Sequence, residues 1–211
     1  KAGEVCEMEI ELSGSGDQQN AIQGASYLQD IGDWYNKNVT GSMIIQGRML
    51  RDIRLGSKNN PVIISISSLT LSNCVSLQRL LLSNITTLSG TLNLTACEHL
   101  QEIYADGTSL AQIVLPSGGG LRVVEYSRFN QYLSLSNYPL LTDDGIGIDL
   151  CKTVISDFFI VDCALVRPMK ILVDIMNAQM EQGDNHALKR IRAVGFEESY
   201  NNSFILDKLV D

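Results

Sequence analysis

Residues 94–105 read LTACEHLQEIYA, and the spacing of their apolar side chains recurs along most of this 211-residue chain. In this frame an apolar residue is followed by others six, nine and eleven positions later. Frames of the same form begin at Ile44, Leu71, Leu94, Leu115, Leu135 and Ile160, at intervals of 20 to 27 residues. Self-similarity at such a period indicates a solenoid in which each repeat forms one coil.

Two positions of the frame predict what the coils bury. The sixth position is occupied in turn by Leu50, Leu77, Leu100, Leu121, Leu141 and Val166. The ninth position is apolar in five frames, where it is Ile53, Leu80, Ile103, Val124 or Met169. In the remaining frame Asp144 takes the ninth position, and Ile146 restores the apolar character two residues later. We therefore expect these residues to stack on one another in the core.

Each coil is predicted to contain a second strand. Short alternating runs, SLTL, TLNL, QIVL, YLSL and FFIV, end at Leu71, Leu94, Leu115, Leu135 and Val161. Alternation over four residues is a strand signal. The spacing of Leu77, Leu80 and Leu82 is that of the strand in a leucine-rich repeat. The predicted fold is a β-rich, leucine-rich-repeat-like solenoid with two short parallel β-strands per coil and a helical cap at its C-terminal end.

Three parts are expected along the chain. Residues 1–40 would form an N-terminal strand and cap segment, in which Trp34 covers the first coil. Residues 41–167 would form the solenoid, and residues 168–211 a C-terminal helix, a final coil and a capping helix. The two ends of a strand stack need such caps because they would otherwise expose unpaired edges and apolar faces.

The C-terminal part contains two helix signals. Pro168 suits the first turn of a helix. A stripe at helical spacing follows it, formed by Met169, Leu172, Val173, Met176 and Met180. We expect this stripe to be a packed core face rather than a binding groove. Residues 188–194, LKRIRAV, repeat the coil frame, and residues 201–211 are expected to form the closing helix.

Composition and charge exclude several classes of function. Hydrophobic residues make up 45% of the chain and charged residues 19%, as in a folded domain. The net charge of −8 argues against binding to nucleic acid or to an anionic membrane surface. Because no apolar stretch is long enough to cross a bilayer, we expect no membrane insertion. The chain begins at Lys1, so we expect it to be a processed chain or part of a longer one.

The cysteines are predicted to be structural. Cys74, Cys97 and Cys163 share one position, three residues after the start of their frames, and none of the five cysteines has a short metal-ligand spacing. A small buried thiol at the corner of each coil is the expected role, with the thiols free. A disulfide between the stacked Cys74 and Cys97 remains the alternative.

No catalytic, cofactor-binding or metal site is predicted. Cys97 and His99 would face opposite sides of an extended segment and could not act as a nucleophile and its base. Asp143, Asp144 and Asp149 lack the spacing of a calcium-binding loop, and a turn explains them equally well.

Four aromatic residues are candidates for a partner-binding patch, namely Tyr104, Tyr126, Phe129 and Tyr132. Aromatic side chains supply much of the binding energy of protein interfaces. Core filling or packing at the coil edges is the alternative role for the same residues.

Three segments carry a resemblance to a known family. Residues 27–34 read YLQDIGDW, residues 92–127 contain LNLTACEHLQEIYADGTSLAQIVLPSGGGLRVVEYS, and residues 188–196 read LKRIRAVGF. Together they resemble the leucine-rich-repeat-like proteins carried by tailed phages and prophages of gut bacteria. The resemblance implies a structural or host-facing role in a virion and supplies no catalytic residues. This chain departs from the pattern at Asp144 and in its long first interval.

Two functions follow as expectations, and neither is enzymatic. In the first, the chain is a tail-associated virion domain whose solenoid contacts other virion proteins. In the second, it is a recognition module at the bacterial cell surface or secreted, which binds a host protein or glycan. An apolar ridge shared between copies would favour the first, and clustered exposed aromatic residues would favour the second. The sequence does not predict the oligomeric state.

Overall fold

In the computed structural model, successive repeats stack as the coils of a parallel β-solenoid. The structure describes residues 29–117, 119–127, 130, 132–148 and 155–181, and four further strands at 12–13, 19–22, 190–194 and 204–207. Within these residues the solenoid has about five turns, and an α-helix lies near its C-terminal end. The predicted repeat solenoid is therefore confirmed.

One side of the solenoid is a continuous six-stranded parallel sheet. We call it the second sheet because it contains the second strand of each coil. Its strands are β3 (Asp30–Ile31), β5 (Asp52–Arg54), β7 (Arg79–Leu81), β9 (Glu102–Tyr104), β11 (Val123–Tyr126) and β13 (Ile146–Ile148). The pairing aligns Ile31, Ile53, Leu80, Ile103, Val124 and Ile146 in one buried row. This confirms the ninth position of the first four frames and the replacement of Asp144 by Ile146. Met169, the ninth residue of the last frame, lies in a helix and not in this row.

The other side, which we call the first sheet, consists of three hydrogen-bonded groups of strands. The first group contains β1 (Leu12–Ser13), β2 (Gln19–Ile22), β4 (Thr40–Gln46) and β6 (Ser65–Ser72). The second contains β8 (Ser89–Asn93) and β10 (Ser109–Val114). The third contains β12 (Tyr132–Ser136), β14 (Asp157–Val161), β15 (Arg190–Val194) and β16 (Phe204–Asp207). The pairs β1–β2 and β15–β16 are antiparallel, and the other pairs are parallel.

Side chains bridge the coils where the first sheet is interrupted. The Thr87 hydroxyl donates to the Ile66 carbonyl at 2.8 Å, which joins the coil of β8 to that of β6. The Tyr138 hydroxyl donates to the Pro116 carbonyl at 2.6 Å, which joins the coil of β12 to that of β10. The three groups of strands therefore belong to one stack of coils.

The first coil corrects the predicted frame by one residue. Ile45 pairs with Leu71 and is buried, whereas Ile44 pairs with Thr70 and is partly exposed. The frame therefore begins at Ile45. Leu50 follows Ile45 by five residues instead of six, because the corner after β4 is one residue shorter than the corner after β6. It nevertheless takes the same place in its coil as Leu77 does in the next.

In three coils, the corner after the first strand of the coil buries a cysteine thiol, as predicted. Cys74, Cys97 and Cys163 are free and at most 2% exposed, which confirms the structural role. Burial raises the pKa of Cys97 to about 12, so its thiol is poorly reactive. Asn73 and Asp162, each directly before a corner cysteine, have φ of 54° and 52°. This left-handed turn is one that Asn and Asp tolerate better than most residues.

Helix α1 (Pro168–Glu181) follows the last described corner. It buries Leu172 as predicted, together with Ile171 and Ile175. The predicted stripe is wrong in part, because Val173 and Met176 are exposed. The helix face that packs on the solenoid is therefore shifted by one residue from the predicted stripe. The side chains of Met169 and Met180 lie outside the described part of the helix.

A buried carboxylate anchors the start of α1. Arg167 donates to Asp143 Oδ2 from Nε at 2.8 Å and from Nη2 at 2.5 Å. Burial alone would raise the pKa of Asp143, but the hydrogen bonds from Arg167 outweigh it, and the pKa is lowered. Asp143 therefore remains ionised and ties the loop before β13 to the helix.

The predicted closing helix at residues 201–211 is wrong where the structure describes it. Residues 204–207 form β16, which pairs with the final coil strand β15. The open edge of β15 offers a row of backbone groups, and pairing satisfies them where a helix could not. At the other end, Trp34 packs against the core as predicted.

Candidate functional site

The second sheet turns a row of ionic side chains outward. Strands β5, β7, β9 and β11 place eight half-buried residues on this surface. Two of them are the apolar Leu81 and Val123, and the other six are Asp52, Arg54, Arg79, Glu102, Tyr104 and Glu125. We call these six residues, together with Lys58 from the loop after β5, the charged face. Arg54 donates to Asp52 at 3.3 Å, and Arg79 Nε lies 3.4 Å from Glu102.

Tyr104 lies at the centre of the charged face. Its hydroxyl donates to Glu102 Oε2 at 3.0 Å. Lys58 Nζ lies 4.4 Å from the centroid of its ring, and the Arg79 guanidinium carbon lies 5.5 Å from the same point. Both distances are within the range of cation–π attraction. Partial burial, followed by the hydrogen bond to Glu102, raises the pKa of Tyr104, so the phenol stays protonated.

Lys58 reaches the charged face from a longer loop. The Ser57 hydroxyl oxygen accepts hydrogen bonds from the backbone N–H of Asn59 at 3.3 Å and of Asn60 at 3.0 Å. This turn directs Lys58 across the sheet, where it forms an ion pair with Glu125, 67 residues further along the chain. The long first interval of the repeat was the available sequence signal, because it leaves room for this loop.

Two carboxyl groups of the charged face hold their protons more tightly than usual. Burial raises the pKa of Glu125, and a hydrogen bond with Asp106 raises it further against the effect of Lys58. Burial also raises the pKa of Asp52, against the effect of Arg54. Asp106 in turn accepts a hydrogen bond from the Ser83 hydroxyl at 2.6 Å. The face is therefore a connected network rather than a set of separate charges.

The first sheet presents a different surface. Strands β4, β6, β8, β10 and β12 contain no charged residue. The side chains that they expose fully or in part are mainly hydroxyls and amides. We call this surface the uncharged face, and its principal residues are Gln46, Ser68, Thr70, Ser72, Thr91, Asn93, Gln112, Tyr132, Ser134 and Ser136. Exposed charge returns on β15, where Arg190 and Arg192 are exposed.

The four aromatic candidates do not form one patch. Tyr104 lies on the charged face and is partly buried, whereas Tyr132 lies on the first sheet and is 42% exposed. Tyr126 corrects the prediction, because it is 1% exposed and belongs to the core. It occupies the eleventh position of its frame, which is also buried at Leu82 and Ala105. Phe129 lies outside the described residues.

The catalytic and metal candidates are dispersed. Cys97 is buried and His99 is exposed. Asp143 is engaged by Arg167, Asp144 is exposed, and Asp149 lies outside the described residues. Within the part of the chain that the structure describes, no group of three or more His, Cys, Asp or Glu side chains could hold a metal ion. No described helix combines the length and apolar character needed to cross a membrane.

Comparison with known proteins identifies no relative of the chain. No protein-family model, no curated protein and no solved structure matches the chain. The inference of function therefore starts from the two faces and from the repeat sequence.

Proposed function

We propose that the chain is a non-catalytic interaction module that binds other proteins through the charged face of its solenoid. The observation that carries this proposal is the position of Tyr104 between Lys58 and Arg79 on a sheet built from successive coils. A solenoid presents such a sheet as an extended binding surface.

The composition of the charged face suits a protein partner. Tyr and Arg are among the residues that most often dominate the energy of protein interfaces. The hydrogen bond to Glu102 and the two nearby cations restrict the movement of Tyr104 before any partner arrives. Because an ordered side chain loses less entropy on binding, the arrangement favours affinity.

The biological setting that we propose is a virion, in which the module is associated with the tail and contacts other virion proteins. This part of the proposal is supported by the resemblance of residues 27–196 to the phage-borne repeat proteins. The alternative is a recognition module at the bacterial cell surface or secreted, and the uncharged face favours it, since hydroxyls and amides suit a host glycan. No nucleic-acid partner is proposed for so acidic a chain.

Site-specific photocrosslinking tests the protein contact. A photoreactive amino acid replaces Tyr104 on the charged face, and the matched control replaces Thr70 on the uncharged face. Both proteins are added to intact particles and cells of the source culture, and crosslinked species are identified by mass spectrometry. We expect position 104 alone to give one dominant protein adduct, a tail protein if the virion setting is right. Equal labelling from both positions would contradict the proposal.

A further inference from the structure

One row of the uncharged face runs across the coils. Thr91 and Gln112 are paired in the parallel ladder of β8 and β10. Ser68 and Tyr132 take the same position of the frame in the flanking coils, three residues before Leu71 and Leu135. Neighbouring strands lie about 4.8 Å apart. Thr91 and Gln112 are therefore direct neighbours, whereas Ser68 and Tyr132 lie beyond the two interruptions of the first sheet. The row offers two hydroxyls, one amide and one aromatic ring along the solenoid.

The side chains of this row are available to a ligand. Thr91 and Gln112 are exposed, Ser68 is partly exposed, and Tyr132 is 42% exposed. Among the described residues, none donates to or accepts from the side chains of Ser68, Thr91 and Gln112. By contrast, charged residues of the charged face pair with one another, as Arg54 does with Asp52.

The absence of charge on these strands selects the kind of ligand. Strands β6, β8, β10 and β12 offer no countercharge to an anionic ligand such as nucleic acid or an acidic polysaccharide, and the chain as a whole carries −8. Arg190, which follows Tyr132 and Asp157 in the same row, already donates to Asp157. A protein partner is also a poor match, since Ser and Thr are under-represented at the positions that dominate protein interfaces. A neutral sugar chain has hydroxyls that exchange hydrogen bonds with hydroxyls and amides, and its rings stack on an aromatic side chain.

We infer that the uncharged face binds a neutral, extended polysaccharide that runs along the solenoid axis. Its hydroxyls exchange hydrogen bonds with Ser68, Thr91 and Gln112, and one sugar ring stacks on Tyr132. The inference extends the proposed role as an interaction module to a second ligand class. It concerns the opposite sheet from the protein contact, so the two proposals can fail separately.

Calorimetric titration with cellohexaose, mannohexaose and chitohexaose tests the inference, with a heparin fragment as the anionic comparison. The variants are Tyr132→Ala, which removes the ring, and Thr91→Arg, which inserts a long charged side chain into the row. Tyr104→Ala is the matched control on the charged face. Circular dichroism and thermal unfolding establish that each variant is folded.

We expect at least one neutral hexasaccharide to bind at millimolar concentration or below. Tyr132→Ala and Thr91→Arg should each weaken that binding about tenfold, the change expected when one stacking contact or one or two hydrogen bonds are lost. Tyr104→Ala should leave it unchanged. The inference is overturned if no neutral hexasaccharide binds, if heparin binds more tightly, or if Thr91→Arg has no effect. Sedimentation that shows self-association abolished by Thr91→Arg would also overturn it, because the face would then contact a second copy.

Discussion

On one side of the solenoid, strands β5, β7, β9 and β11 are only three or four residues long, and together they contain five charged residues. On the other side, the five longer strands from β4 to β12 contain none. Both sheets are produced by the same repeat, and both bury apolar side chains at equivalent positions of successive coils. The inward positions are thus fixed by stacking, while the outward positions are free to acquire separate chemistries.

The difference also affects how each surface is organised. On the charged face, Lys58, Glu125 and Asp106 come from three different coils and restrain one another. On the uncharged face, the strands are held by the backbone ladder, by the core and by hydroxyl groups that donate to backbone carbonyls of the preceding coil, as Thr87 does to Ile66. We therefore expect core substitutions to act alike on the two sheets and surface substitutions to act differently.

The largest effects should be equal on the two sides. Leu80 in β7 and Leu92 in β8 are each at most 1% exposed. Replacement of either by Ala should lower the free energy of unfolding by about 2–5 kcal/mol, since each leaves a cavity in the same stack. Urea unfolding of Leu80→Ala and Leu92→Ala measures this. If one variant were as stable as the wild type, the two sheets would not share a single core.

Replacement of two glycines by alanine should lower the stability by different amounts, because the surroundings of the two residues differ. A Cβ on Gly56, just after β5, would lie 2.3 Å from the Ser83 carbonyl oxygen of the next coil. Gly90 in β8 has φ of +77° and open space around it. Gly56→Ala should therefore cost about 3 kcal/mol because the coils must separate, and Gly90→Ala about 1–2 kcal/mol from backbone strain alone. Thermal unfolding of both variants tests this order, and the reverse order would contradict the close stacking after β5.

Most of the fold was predictable because it depends on inward residues with a fixed period. The two strands per coil, the corner thiols and the return of Ile146 all follow from that period. Tyr126 was predictable as well, since its place in the frame matches Leu82 and Ala105. The closing strand at residues 204–207 was not, because pairing with β15 depends on tertiary contact and overrides the local pattern.

The charged face was harder to predict from the sequence than the fold. Tyr104 was a candidate, but the approach of Lys58 depends on the path of a loop that has no counterpart in the other repeats. Its ion pair joins residues 67 positions apart, and no local pattern signals such a contact. The uncharged face, by contrast, is visible in the sequence as strands without Asp, Glu, Lys or Arg, once the strands are known.

Surface substitutions should separate the two sides. Lys58→Met removes an ion pair and a cation–π contact, and we expect a loss of about 0.5–1 kcal/mol that diminishes at high salt. Thr70→Ala on the uncharged face should change stability by less than about 0.5 kcal/mol at any salt concentration. Urea unfolding at low and high ionic strength measures both. An effect of Lys58→Met that is independent of salt would show that packing of its aliphatic chain, and not charge, stabilises the face.

The smallest effect should appear only on the charged face and only as a function of pH. Burial and the hydrogen bond with Asp106 raise the pKa of Glu125 in the folded protein above the value of about 4.3 expected when it is unfolded. The folded state therefore holds this proton to higher pH, and the group's contribution to stability falls as the pH rises through the folded pKa. Glu125→Gln removes that decline, so the stability of the variant relative to the wild type should increase between about pH 4 and pH 7.

The comparison of variant with wild type cancels the titration of other carboxyl groups, including that of Asp143, whose pKa is shifted the opposite way. Thr70→Ala is the control on the uncharged face, and its stability should run parallel to the wild type at every pH. Urea unfolding across this pH range gives both differences. If Glu125→Gln instead lost stability relative to the wild type as the pH rose, the attraction of Lys58 would outweigh burial. The ion pair would then stabilise the charged face by more than the partial burial of the Glu125 carboxylate destabilises it.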